Sequence, residues 1–158
     1  MKRKFYYIVL PIIIMIFASS CSKYYYYKGK ETNRYYTNLL SEGINLNNSY
    51  RCTITDTSFY KEKELSSEDL NVIPNFISSL DEKSFIDKPK NLPKKPLYKI
   101  FITISNEKYV INVYNKDLVS VYPWDGFYEM DFINMSKVPY SYNLYNISNY
   151  MIPRDSNK

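Results

Sequence analysis

Histidine is absent from this 158-residue chain, and cysteine occurs only twice, glycine three times and tryptophan once. The first absence removes the commonest general base, so neither a Ser-His-Asp set nor a cysteine activated by imidazole can be assembled. No Gly-rich phosphate loop is present, and the acidic and thiol residues show no metal-ligand spacing. Arginine is scarce beside lysine, four against 17. Long hydrophobic runs are missing too. The strongly apolar stretch near the N-terminus is about 14 residues and contains Pro11, where a membrane-spanning helix needs roughly 20.

That short run has an ordered setting. Lys2, Arg3 and Lys4 precede it, residues 5–17 carry no charge, and the small residues Ala18, Ser19 and Ser20 lead to Cys21. A basic region, an apolar region and a small-residue site in this order read as an export signal. The three cations stay on the cytoplasmic side, so the chain beyond Ser20 is expected outside. Ala18-Ser19-Ser20-Cys21 resembles the lipobox of bacterial lipoprotein precursors and departs from it at Ala18, where leucine is more frequent. The resemblance implies a signal cut before Cys21, diacylglycerol on its thiol, and a new amine open to acylation. The expected organisation is a signal peptide over 1–20, lipid attachment and tether over 21–31, and a single domain over 32–158. Two or three acyl chains hold stably where one is marginal. The expected location is the outer, extracytoplasmic face of the cell membrane, with the bilayer as a partner through the anchor. An ordinary signal peptide with an incidental cysteine, or an uncleaved anchor over residues 5–22, would also leave the domain outside.

Without residues 1–20 the chain has 138 residues, enough for one domain with a core. Three of the 21 basic residues and none of the 16 acidic ones lie in the signal, so the net charge falls from +5 to +2. Nothing in that balance suits nucleic acid. The 19 tyrosines accompany an excess of Asn, Ile and Lys, the signature of AT-rich codon usage, with an aromatic binding surface as the functional alternative. With Cys21 lipidated, Cys52 has no partner in the chain. It alternates with Tyr50 and Ile54 on one strand face and reads as a buried, inert thiol.

Along the mature chain, residues 22–31 read as tether. Thr32 is placed to cap a short helix through Leu40, with Gly43 to stop it. Strand character occupies residues 50–55 and resumes over 59–62. The main helix is expected over 68–82: Ser67 as N-cap, Leu70, Ile73, Phe76, Ile77 and Leu80 at helical spacing, and Pro74 as a kink. Residues 87–96, with three prolines and four lysines, form an extended connection. Period-two alternation comes next in Tyr98, Ile100, Ile102 and Ile104, then Tyr109, Ile111 and Val113, then Val119 and Val121, then Tyr128, Met130 and Phe132. The linking turns are too short for parallel crossovers. Leu144, Ile147, Met151 and Ile152 suggest a short C-terminal helix. The expected fold is α+β: an antiparallel β-meander of about four to five strands, covered on one face by one main helix.

The candidate site is the stretch "VYPWDGFYEMDFI" at residues 121–133. It holds the only tryptophan, a Pro-Trp-Asp-Gly turn, and two carboxylates that strand geometry would place on one face. Trp124, Asp125, Glu129 and Asp131 are therefore the candidate binding residues, for a cation, a divalent metal or a polar glycan. The plainer account makes Asp125-Gly126 a hairpin turn, Trp124 a cap on the core, and the two carboxylates a wet strand face. Glu129 and Asp131 formally suit a paired-carboxylate hydrolase, but strand neighbours on a flat surface lack the cleft such enzymes need. No catalytic residue and no cofactor beyond the lipid on Cys21 is expected. Lys88, Lys90, Lys94, Lys95 and Lys99 could meet anionic lipid or wall polymer, or only keep a loop solvated.

"KPLYKIFITIS", "KYVINVYNKDLVSVYPWDG", "YEMDFI" and "YNLYN" together resemble a family of uncharacterised lipoproteins of clostridial type. The resemblance implies no activity and no site residues. The expected role is a lipid-anchored, non-catalytic binding or accessory module at the cell envelope, with an envelope protein or wall polymer as partner. A structural envelope protein without a discrete ligand and a carboxylate-dependent hydrolase are the alternatives.

Overall fold

The computed structural model describes residues 30–47, 49–125 and 129–154. The expected export signal, Cys21 and the tyrosine run at 24–27 lie outside the described residues, as do Gly126 and Tyr128. Within them, segments rich in β-branched and aromatic residues form seven strands: β1 (Arg51–Asp56), β2 (Glu62–Glu64), β3 (Phe85–Ile86), β4 (Tyr98–Ile104), β5 (Glu107–Val113), β6 (Leu118–Pro123) and β7 (Asp131–Asn134). All pair antiparallel in one sheet of order β2-β1-β4-β5-β6-β7-β3. The helices are α1 (Tyr35–Leu46), α2 (Val72–Ser78) and α3 (Leu144–Met151). Class and strand sense agree with the sequence reading, while the strand count of four to five is corrected to seven. β2 is a fully exposed Glu-Lys-Glu and β3 is two residues long. Neither carries an alternation of its own, and both exist because β1 and β7 offer an open edge to pair with.

Register determines the core. Cys52 sits opposite Ile102 and Ile54 opposite Ile100, which in turn faces Ile111 and then Val121. These side chains are buried on one face, where α1 adds Tyr36 and Leu40, α2 adds Ile73 and Phe76, and α3 adds Leu144. Cys52 is a buried free thiol, pushed up to about 12 first by burial and then by the charge of Glu64.

The helical cover differs from expectation. Residues 67–71 form turns rather than the start of a helix. The Ser66 carbonyl accepts the N–H groups of Asp69 and Leu70, and its hydroxyl bonds the Asp69 carboxylate at 2.6 Å. The helix predicted over 68–82 thus shrinks to α2, seven residues beginning at Val72. Pro74 then lies in the first turn, where a backbone N–H has no intrahelical partner, so the expected kink has no hydrogen bond to break.

The principal cover is α1 instead. It begins at Tyr35 rather than after a Thr32 cap, runs through Gly43, and ends where Asn47 donates both its backbone N–H and its side-chain amide to the Gly43 carbonyl. Gly43 permits a close approach rather than stopping the helix. A Cβ there would stand 3.2 Å from Ile104 Cδ1, tighter than packed side chains normally sit.

Residues 149–154 are fastened across the sheet. Tyr98 donates its hydroxyl to Asn149 Oδ1 and to the Ile152 carbonyl, each at 3.1 Å. The Arg154 guanidinium reaches the buried Asp56 carboxylate at 3.3 Å, the Leu97 carbonyl at 2.9 Å and Ser58 Oγ at 2.8 Å.

Candidate functional site

Trp124 comes directly after β6, and its backbone N–H donates to the Lys108 carbonyl at 2.9 Å, extending the β5–β6 pairing by one bond. The residue is 55% exposed, so it does not cap the core. The Lys108 ammonium lies 4.7 Å from the ring centroid, a cation–π distance. Beside it opens a groove of about 530 Å³ between the first half of α1 and the turn joining β4 to β5. Tyr35, Tyr36 and Leu39 form the helical wall, while Glu107, Tyr109 and Asp125 bring polar groups to the other side. Ser105, at φ 50°, makes the tight turn that sets Glu107 and Lys108 at the rim.

The groove combines an aromatic wall with charges of both signs. The rings of Tyr35 and Tyr36 meet edge to face, 5.2 Å between centroids. Tyr109 donates its hydroxyl to Glu107 Oε2 at 2.9 Å. Burial raises the Tyr109 phenol well above its ordinary value and the bond to Glu107 raises it further, so it stays a neutral donor. Such a surface can stack a flat or ring-shaped ligand and hydrogen-bond its edge. Among the described residues no group of three or more acidic or thiol residues could hold a metal ion.

The four candidate residues separate. Trp124 and Asp125 share this groove. Glu129 is exposed and lines a different hollow of about 610 Å³, with Lys30, Asp87, Lys88, Met130 and Phe132. Asp131 lies in neither, because it is fully buried. The expected shared wet face of Glu129 and Asp131 is therefore corrected. Asp131 pairs with Val121 on the core face, in the row that continues through Ile111, Ile100 and Ile54, while Phe132 takes the opposite face and Ile133 returns to the core.

The reason for a carboxylate in that row is the open end of α1. The helix has Arg34 as N-cap with no side-chain capping bond, and no acidic residue in its first turn. Asp131 Oδ2 accepts the Thr37 N–H at 2.8 Å and the Thr37 hydroxyl at 2.9 Å. It thereby satisfies one of the orphan donors of the first turn and places a negative charge at the positive end of the dipole. Lys30 adds its ammonium at 3.5 Å and donates to the Met130 carbonyl at 2.8 Å. Burial raises the Asp131 carboxyl above the ordinary value, opposed by the Thr37 bonds and then by Lys30. The paired-carboxylate arrangement required for hydrolysis is not formed.

Sequence reading missed the helical wall and the β4–β5 turn of the groove. Tyr35 and Tyr36 lie far from Trp124 in sequence, and nothing local marks them as neighbours.

These features define a small α+β domain with an aromatic groove beside Trp124. Residues 30–148 match the family described as "Domain of unknown function (DUF4883)", and the chain belongs to that family. A solved structure described as "Crystal Structure of Putative Lipoprotein from Clostridium perfringens" is similar, with 34% identity and a TM-score of 0.72 over 80% of this chain and 100% of that one. No curated protein matches the chain.

Proposed function

We propose that the protein is a lipid-anchored extracytoplasmic binding module, tethered through Cys21 and using the groove beside Trp124 as its contact surface. The observation that carries the anchor is the Ala18-Ser19-Ser20-Cys21 motif, in a chain similar to a crystallised protein described as a "Putative Lipoprotein". In this reading residues 1–20 are removed, 21–31 form the tether, and 32–158 act at the membrane's outer face on an envelope protein or wall polymer. The exposed indole supports a contact role, since aromatic residues held in water beside a groove are the usual anchors of recognition surfaces.

Mass spectrometry of the membrane fraction tests the anchor: the mature chain should begin at an acylated Cys21, and retention of residues 1–20 would refute processing. Pull-down from detergent-solubilised envelope tests the groove. Trp124→Ala should retain the fold and lose the co-purifying partner, and an unchanged pull-down would reject the groove.

A further inference from the structure

A second surface lies at the other end of the strands, on the turn from β1 to β2. Phe59 and Tyr60 are 65% and 80% exposed there. Each ring carries an ammonium over its face, Lys61 at 5.8 Å from the Phe59 centroid and Lys95 at 5.6 Å from that of Tyr60. Tyr60 has a φ of 53°, a conformation that disfavours a bulky side chain.

The backbone beneath is firmly held. Asp56 Oδ1 accepts the N–H groups of Ser58 and Phe59 at 2.7 and 2.9 Å, and the Asp56 carbonyl accepts that of Tyr60 at 3.0 Å. Arg154 clamps Asp56 and Ser58, and the Thr57 hydroxyl reaches the carbonyls of Pro96 and Leu97, tying the turn to the end of the lysine-bearing connection. A turn that only reversed the chain would not require two exposed aromatic rings on a clamped, strained backbone.

We propose that this turn docks onto an anionic lipid bilayer. Phe59 and Tyr60 enter the headgroup layer, where amphipathic rings are favoured, and Lys61 and Lys95 meet lipid phosphates. A bilayer fits better than a soluble anionic polymer, which would pair with the lysines but leave the apolar Phe59 ring in water. The contact is independent of the Trp124 groove. Asp56 pairs with Tyr98, whereas Trp124 adjoins Pro123, whose row runs through Tyr109 and Ile102 to Cys52. Four residues along a strand and three strand spacings separate the two by about 20 Å.

Among the described residues all strands and helices lie within residues 35–151, so a chain lacking residues 1–21 keeps each of these elements. That chain should sediment with phosphatidylcholine vesicles containing phosphatidylglycerol, not with pure phosphatidylcholine, and salt should release it. Lys61→Gln and Lys95→Gln should each lower partition about fivefold. Phe59→Ser with Tyr60→Asn should abolish it, asparagine being chosen because it tolerates positive φ. Should that double variant misfold by circular dichroism, depth decides: with Trp124→Phe in place, the indole introduced by Phe59→Trp should be quenched by brominated lipid, whereas native Trp124 should not. Failure to bind phosphatidylglycerol at low salt, unchanged binding by the lysine variants, or quenching of Trp124 instead would overturn the proposal. So would equal affinity for soluble poly(glycerol phosphate), which would move the partner to a polymer.

Discussion

Replacing Asp131 by alanine isolates the contact that joins β7 to α1. The carboxylate holds the Thr37 N–H and hydroxyl at 2.8 and 2.9 Å in a site with no solvent access to Asp131, and Lys30 stands at 3.5 Å. Hydrogen bonds to a charged group contribute about 1.5–3 kcal/mol each, and breaking a buried charged network by removing one partner costs about 3–5 kcal/mol. Asp131→Ala should therefore remove about 3–5 kcal/mol, a large share of the roughly 5–15 kcal/mol typical of a domain. Asp131→Asn keeps an oxygen for the Thr37 N–H and should lose only about 1–2 kcal/mol. The assay is urea unfolding of a soluble form, monitored by Trp124 fluorescence and circular dichroism. A pH series adds a sign. Because the folded carboxyl lies above its ordinary value of 3.8, the native state holds more protons than the unfolded state just above that value. This site's contribution to stability therefore declines as pH rises through the window. Wild type should gain on Asp131→Asn as pH falls toward that value. An alanine loss below about 1 kcal/mol, or equal losses for alanine and asparagine, would refute the capping argument.

Two further outcomes are expected from the packing. Arg154→Ala leaves the Asp56 carboxylate, 1% exposed, without its cation and should cost about 2–4 kcal/mol; Arg154→Lys should recover only part, since one ammonium cannot replace three guanidinium contacts, and equal melting of both variants would count against the clamp. Cys52 should resist a thiol reagent at pH 8 until urea unfolds the chain; its folded thiol is pushed up to about 12 against an ordinary 9.0, so stability should fall as pH rises past 9 while the unfolded chain alone ionises, and Cys52→Ala should flatten part of that fall.

The strands and helices that were legible are those with a strong period of their own. Tyr98, Ile100, Ile102 and Ile104 alternate without interruption and all four are buried. The short turns after β4 and β5 dictated antiparallel pairing, and residues 144–152 announced α3. Boundaries set by tertiary partners were not legible. α1 starts at Tyr35 because its capping group arrives from β7, and it passes Gly43 because Ile104 needs that space. Pro74 looked like a kink only while the helix was assumed to begin several residues earlier.

For the candidate site, Trp124 and Asp125 were visible as an isolated aromatic beside an acid. Their grouping with Glu129 and Asp131 was not correct, because the phase of β7 was read from Met130 and Phe132 as core residues. A buried aspartate has no signature in a strand pattern when the donors that justify it come from another element.

The sequence by itself determined the α+β class, the antiparallel meander, the exclusion of histidine and phosphate-loop chemistry, and the unpaired state of Cys52 given a lipidated Cys21. These rest on composition, local period and turn length, which are properties of neighbouring residues. Only the tertiary structure decided that Asp131 is buried and caps α1, that Tyr35 and Tyr36 wall the Trp124 groove, and that Lys95 lies over Tyr60. Each of those depends on groups far apart in the chain, whose meeting is set by sheet register and helix docking rather than by any local pattern.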